Sequence, residues 1–417
     1  MNPEIIDSYL IILVSYQLLI FAIILYFSGI SRSYSKKILA FFFIAGWFVY
    51  FALGSFFLGW LEVSTWIYYL FVPALLSVCP LFYIYVKSLT SEKFIFTLKC
   101  WLHLYPAAIS LVINLLHFGI LSPAQREWFL TNGFVQKSNE PLLTINIYFY
   151  YLWDFLIFPV QLILYFVLIY KEIKNHHHKI REIFSNLENK KLNWLYWAAV
   201  IFVVLILFNN LLIQSDLIDH AGIRIFYNVG MLLFTLFIFF SGLKQITIYD
   251  YAMLGNREDG KSLEELAEKQ RNRDKAKNTI LQRSAFREKN RIVNLSETEQ
   301  KNILQKTETA ILSNKLFLNP ELKITDLSIE VSIPRRHISQ AINEQLKMNF
   351  YNFINRYRIQ EAIKLMNSES SGKFSIEGIA RQSGFNSRSS FYTAFKTETG
   401  LTPSSFLKDL KKAEKLL

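Results

Sequence analysis

Ile376-Glu-Gly-Ile379-Ala-Arg-Gln-Ser-Gly384-Phe385-Asn-Ser-Arg-Ser-Ser-Phe391-Tyr-Thr-Ala-Phe395 is the stretch whose reading decides the C-terminal fold. It opens with an apolar pair at i and i+3, passes through a short Ser-Gly-Phe turn, and resumes with apolar residues at i and i+4. That pattern describes two short helices joined by a turn, with their apolar faces pressed together. Gly384 supplies the positive φ that the turn requires, and Phe385 plugs the angle between the helices. The pattern also stands earlier, in Ile324-Thr-Asp-Leu327 followed by Ile333-Pro-Arg-Arg-His-Ile338-Ser-Gln-Ala-Ile342. Ile324 and Leu327 recur 52 residues later as Ile376 and Ile379, whereas Ile338, Ile342 and Phe353 recur 53 residues later as Phe391, Phe395 and Phe406. The extra residue falls in the turn, where a change of length costs least. A repeat this tight predicts two copies of one helix-turn-helix unit.

The side chains left facing outward on the second helices are Arg335, Arg336, Ser339, Gln340 and Asn343, then Arg388, Ser389, Tyr392, Thr393 and Lys396. Arg, Gln, Asn, Ser and Thr are the types that reach base edges in a major groove, and Lys and Arg neutralise phosphates. Residues 315–417 hold 16 Lys and Arg against 10 Asp and Glu, so this region is basic and suits double-stranded promoter DNA as its partner.

At these residues the chain resembles the AraC-type transcription regulators. The second copy carries that family's signature closely, in Ile379-Ala-Arg-Gln-Ser-Gly384-Phe385, Ser390-Phe391, Phe395-Lys396, Gly400-Leu-Thr402-Pro403 and Phe406. The run Phe353-Ile-Asn-Arg-Tyr-Arg358-Ile-Gln-Glu-Ala362-Ile-Lys-Leu365-Met looks like that family's linker helix, and the likeness covers residues 296–410. The resemblance implies two helix-turn-helix units on one rigid helix, reading successive major grooves. It picks Arg336, Ser339 and Gln340, then Arg388, Ser389 and Thr393, as the base-facing positions. The first copy departs from the pattern twice. Ser332 stands where the family often has Gly, and Lys347 stands where the second copy has Gly400. A non-Gly residue in a left-handed conformation costs about 1–2 kcal/mol.

Composition changes along the chain. Of 417 residues 52% are hydrophobic, with 37 Phe and 22 Tyr, yet the formal net charge is +12. The apolar residues crowd into 5–243 and the charge into 244–417. The fold expected is all-α: a polytopic seven-helix membrane bundle over 1–243, a charged linker over 244–295, and a helical DNA-binding domain over 296–417. A bilayer core of about 30 Å needs about 20 apolar helical residues. Such segments stand near 6–28, 38–60, 65–88, 99–120, 144–170, 192–214 and 222–243. Prolines 73, 80, 106 and 159 fall within them and are tolerated in membrane helices. Cys79 and Cys100 lie in or beside apolar segments and indicate no disulfide framework.

Lys and Arg set the direction. Arg32, Lys36 and Lys37 follow the first segment, Lys87, Lys93 and Lys99 the third, and Lys171, Lys174, Lys179, Arg181, Lys190 and Lys191 the fifth. The opposite side has Arg126, Lys137 and Arg224, and no Lys or Arg precedes the first segment. This bias puts the N-terminus outside and, with an odd number of spans, the C-terminus in the cytoplasm, where DNA is. The location expected is a bacterial cytoplasmic (inner) membrane. The first segment lacks a basic leader and a small-residue cleavage site, and so reads as retained.

Polar residues within the apolar segments are costly and often functional. Asn114, His117, Asp154, Asn209, Asn210, Gln214, Arg224 and Asn228 fall toward the outer side. Of these, Asp154, Asn210, Arg224 and Asn228 are the candidates to line an outward-facing polar pocket for a small-molecule signal, with Arg224 or the Asn pair as partner of Asp154. The alternative is that these groups only hydrogen-bond helices together. His176-His177-His178 reads as a solvated loop, since adjacent histidines on a helix point apart and no ligand-spaced Cys or carboxylate accompanies them. Residues 244–295 read as a solvated helix or a flexible tether, without a sustained heptad. Ser296-Glu-Thr-Glu299 is a capping box opening a helix to about Ser313, with Ile303, Thr307, Ala310 and Ile311 on its apolar face.

These features describe a membrane-bound one-component regulator, in which the membrane domain senses a signal and the tail binds DNA. No Gly-rich nucleotide loop, H-E-x-x-H or G-x-S-x-G run occurs, so neither an enzyme nor a cofactor is expected. Pairing of two copies would raise occupancy through effective concentration, which makes a homodimer a candidate state. The alternatives are a transporter or receptor with an appended regulatory tail, a membrane enzyme anchored by that tail, and a regulator released by proteolysis.

Overall fold

The structure is a computed structural model that describes residues 3–28, 34–91, 94–132, 139–188, 190–214, 221–245, 295–367 and 375–414. Contacts divide the chain into two compact units. One comprises Met1–Lys174 and Leu192–Asn256, the other Asn175–Lys191 and Arg257–Leu417. The second unit thus takes in a piece of chain that the sequence reads as a loop between spans.

The first unit is helical. Its elements are α1 (Pro3–Phe27), α2 (Tyr34–Phe57), α3 (Leu61–Ile67), α4 (Phe71–Thr90), α5 (Leu98–Leu102), α6 (Tyr105–Ile120), α7 (Pro123–Asn132), α8 (Pro141–Tyr151), α10 (Asn193–Gln214) and α11 (Ala221–Lys244), with the first part of α9 (Phe158–Ile183), whose residues from Asn175 on belong to the second unit. α1 packs along α2 and α11, and α2 along α4. Phe21 of α1 stacks on Phe239 of α11 with ring centroids 3.9 Å apart. At Gly242 of α11 a Cβ would meet the tip of the Leu39 side chain of α2, which would have to turn aside to admit it.

The expectation of seven spans is corrected. Among the described residues four helices are long and apolar enough to cross a membrane: Pro3–Phe27, Tyr34–Phe57, Leu61–Thr90 and Ala221–Lys244. A fifth is reached only if α6 and α7, bent by 119° about the break between them, count as one. The reason is length. α6 has 16 residues, and at about 1.5 Å per residue that is about 24 Å, short of the hydrocarbon core. The segment expected at 144–170 runs through a π-helical turn, Leu152–Ile157, between α8 and α9, and the second half of α9 is charged. α10 has 22 residues, and its part with described side chains, Asn193–Asn209, is apolar but shorter than the other four.

The second unit contains α12 (Glu297–Ser313), α13 (Ile324–Glu330), α14 (Arg335–Leu346), α15 (Phe350–Met366), α16 (Ile376–Gln382), α17 (Arg388–Thr399) and α18 (Pro403–Glu414). Ser296 and Glu299 cap α12 reciprocally, and Thr307 and Ile311 on its inner face are fully buried. There are two small cores. Ile311, Phe317, Leu327, Ile338 and Ile342 form one, and Ile379, Phe385, Phe391 and Phe395 form the other. α15 serves both, giving Phe350, Phe353 and Ile354 to the first and Ile359, Ala362 and Met366 to the second. No strand occurs among the described residues; one isolated antiparallel bridge pairs Phe184 with Lys323. The two readings of the connector, as solvated helix or tether, fall on residues 246–294, outside the described residues.

The solvated-loop reading of the histidine run is also corrected. α9 continues to Ile183, and His176 is buried with its Nε2 3.0 Å from the Lys190 carbonyl oxygen. Burial lowers the pKa of His177, with His176, Lys191 and Arg181 adding to the effect.

Candidate nucleic-acid interface

Each copy of the repeat is a seven-residue helix, a turn and a twelve-residue helix. The turn runs over residues 331–334 in the first copy and 383–387 in the second, which is where the repeat gains its residue. In the second copy Gly384 has φ +89°, and the Phe385 amide donates to the Ala380 carbonyl. A Cβ at Gly384 would lie 2.6 Å from the Phe317 carbonyl oxygen and 2.9 Å from the Leu318 Cα. Phe385 is buried edge-on against Phe391, with ring centroids 5.2 Å apart. In the first copy Ser332 takes the left-handed conformation with φ +54°, and Ser328 Oγ donates to the Ile333 carbonyl to close the turn. Lys347 and Gly400 end the two long helices with φ +53° and +77°. The first copy therefore takes the left-handed conformation at its turn and at its helix stop without glycine.

The long helices bury Ile338, Ala341 and Ile342, and Phe391, Ala394 and Phe395. Their opposite faces carry the residues expected to meet DNA. On α17 Arg388, Ser389, Thr393 and Lys396 are exposed, and Tyr392 is half-buried. The Arg388 guanidinium donates to Tyr392 Oη at 3.2 Å and lies over the Tyr392 ring. The Tyr392 pKa is lowered, first by its hydrogen bond with Ser404 and then by Arg388. On α14 Arg335 and Arg336 are exposed, and Ser339, Gln340 and Asn343 are half-buried. Gln340 donates to Glu344 at 3.0 Å. Ser339 Oγ and Asn343 Nδ2 both donate to one oxygen of Glu182, at 2.9 and 3.0 Å. The two faces thus differ. That of α17 is open, and that of α14 is engaged by a carboxylate from α9.

Arg358, in the middle of α15, is the largest fully buried side chain among the described residues. Its guanidinium donates to the Phe317, Asn319 and Ser185 carbonyl oxygens at 2.7, 2.7 and 3.0 Å, and to Ser185 Oγ at 2.9 Å. Burial pushes its pKa down to about 10, while Tyr351 and Glu321 pull the other way, so it stays charged at neutral pH. A guanidinium this deeply buried is tolerated because carbonyl, hydroxyl and amide oxygens take its donors.

A helix-turn-helix domain family model matches residues 327–409. That match supports an AraC-type helix-turn-helix domain in this part of the chain, and with it DNA binding. No curated protein and no solved structure matches the chain.

In the first unit the expected pocket residues meet a different partner. Arg224 Nε donates to Asp7 Oδ2 at 2.7 Å, and Asn228 Nδ2 donates to Asp7 Oδ1 at 2.8 Å, with Asp7 1% exposed. These three residues tie α1 to α11. The side chains of Asp154 and Asn210 lie outside the described residues. A small cavity lined by Asn114, Asn146, Phe149 and Trp153 has a volume of about 10 Å³, room for at most one water. Sequence reasoning missed Asp7, Glu182 and the role of Arg358. A signal for Asp7 was present, since it is a carboxylate inside the first apolar helix and Arg224 is the cation at the start of the last.

Proposed function

We propose that the chain is a membrane-bound transcription regulator whose C-terminal domain reads promoter DNA with α14 and α17. The observation that carries this reading is the pair of matching helix-turn-helix units on one connecting helix. Their outer faces bear Arg335, Arg336, Ser339, Gln340 and Asn343, and Arg388, Ser389, Tyr392, Thr393 and Lys396. The family match and the basic balance of residues 315–417 support it. The apolar helices of the first unit support residence in a lipid bilayer. The Lys and Arg bias supports an N-terminus outside and a tail in the cytoplasm, which requires an odd number of crossings between Thr90 and Ala221. We assign the membrane unit the sensing of a signal, and the chain no catalytic step. The bonds of Arg224 and Asn228 to Asp7 favour helix-to-helix bonding over a pocket as their role.

The test is selection of duplexes from a randomised pool by the full chain in lipid nanodiscs. Enrichment of a preferred sequence in at least one major groove is the expected result. Loss of that enrichment on Arg388→Ala, with retention of general binding, ties it to base reading. A pool that stays random sinks the proposal. Fusions of a cytoplasm-active reporter after Leu417 test the direction.

A further inference from the structure

Within the second unit, Asn175–Lys191 docks against the first helix-turn-helix copy through bonds of several kinds. The Ser185 amide and Oγ both donate to the Leu322 carbonyl oxygen, at 3.2 and 2.8 Å. Arg358 binds the Ser185 carbonyl and hydroxyl from inside the domain. Lys190 Nζ and Asn186 Nδ2 each reach one oxygen of the Glu321 carboxylate, at 3.0 and 2.8 Å. Ile180, Phe184 and Leu187 are buried. So anchored, the segment holds Glu182 against α14, where its carboxylate takes the donors of Ser339 and Asn343.

We propose that residues 175–191 are an autoinhibitory clamp that masks the reading face of the first helix-turn-helix copy and leaves the second open. The proposal rests on the DNA-binding reading of α14. A carboxylate there acts in two ways. It occupies two donors that a base edge would need, and it sets a negative charge where the phosphates would come. Site recognition across two grooves therefore requires Glu182 to leave, whereas contact by α17 alone does not. Glu182 sits near the end of a helix that begins at Phe158, so the clamp is continuous with the chain of the membrane unit.

The test uses the full chain in nanodiscs and a fluorescent duplex enriched from a randomised pool by the Glu182→Ala form. Glu182→Ala and Glu182→Gln are expected to bind this duplex at least about tenfold more tightly than the unaltered chain, since both charge-assisted hydrogen bonds of the carboxylate are lost or weakened. Hydroxyl-radical footprints are expected to cover two grooves in these variants and one groove in the unaltered chain. A chain bearing Glu182→Cys and Asn343→Cys, joined by a reducible bis-methanethiosulfonate linker, is expected to protect one groove, and two after reduction. Equal affinity and equal footprints in all forms overturn the clamp while leaving DNA binding intact. Absence of binding in every form overturns the DNA-binding reading, and the clamp falls with it.

Discussion

Replacing Gly384 by alanine tests whether the second turn is held by backbone conformation alone or also by what it touches. Two costs add at this position. The residue has φ +89°, where an L side chain pays about 1–2 kcal/mol. The new methyl group would also meet the Phe317 carbonyl oxygen at 2.6 Å and the Leu318 Cα at 2.9 Å, and these are backbone atoms that cannot swing aside. Overpacking of that kind costs typically about 1–3 kcal/mol. Gly400 is an internal control. Its φ is +77°, yet nothing stands within 4 Å of the position a Cβ would take. Gly400→Ala should therefore lose only the conformational part, about 1–2 kcal/mol, and Gly384→Ala about 2–5 kcal/mol in all. Against a domain stability of about 5–15 kcal/mol the larger loss is substantial. All eight tryptophans fall before residue 198, in the first unit, so their fluorescence does not report on this domain. Native-state amide exchange across α17, in the full chain, does report on it. Equal acceleration of exchange by the two substitutions would refute packing of the turn against Phe317 and Leu318.

Ser332→Gly and Lys347→Gly, at the two left-handed positions of the first copy, should each slow exchange in α13 and α14, by a net stabilisation of about 0.5–1 kcal/mol after the added chain entropy of glycine. Arg388→Ala should cost about 1–3 kcal/mol on the selected duplex and relax preference at one base, whereas Lys396→Ala should weaken binding to every sequence and flatten its salt dependence; fluorescence anisotropy across a salt series separates the two. Asp7→Ala removes the carboxylate shared by Arg224 and Asn228 and should destabilise the first unit by about 3–5 kcal/mol, with Asp7→Asn less damaging, as tryptophan-detected melting in nanodiscs will show. The hydrogen bonds from the Ser296 amide and then its hydroxyl hold Glu299 below its ordinary pKa of 4.5, so its cap on α12 is complete above that value and fades as the pH drops through the lower folded one; Glu299→Gln should remove this dependence from amide exchange in the first turn.

The C-terminal architecture was legible because burial there follows a local period. Ile324, Leu327, Ile338 and Ile342, and their later counterparts Ile379, Phe391 and Phe395, are all buried. The one-residue offset located the turn, and the capping box at Ser296 located a helix start. The membrane unit was less legible, because a hydropathy window averages over breaks. It does not register the bend after Ile120 or the π-helical turn at Leu152, although Pro123 and Asp154 mark both neighbourhoods. The charged run 171–191 was read as a loop because lysines dominate it. Yet Ile169, Ile173, His176 and Ile180 stand at offsets of four, three and four, and all four are buried. That spacing was the available sign of a helix with one dry face. Contacts of high sequence separation between polar surfaces, such as Glu182 with Asn343, have no local period and were not readable.

Ser185 and Arg358 lie far apart in the chain but share one interior. A protease cutting between residues 246 and 294 would sever the tail from the membrane helices along the chain without supplying it with its own copy of Ser185. The freed piece would have to leave two of its guanidinium's acceptors behind and take water in their place. It would depart with both reading helices uncovered and with a weaker interior, which describes a short-lived messenger rather than a durable one.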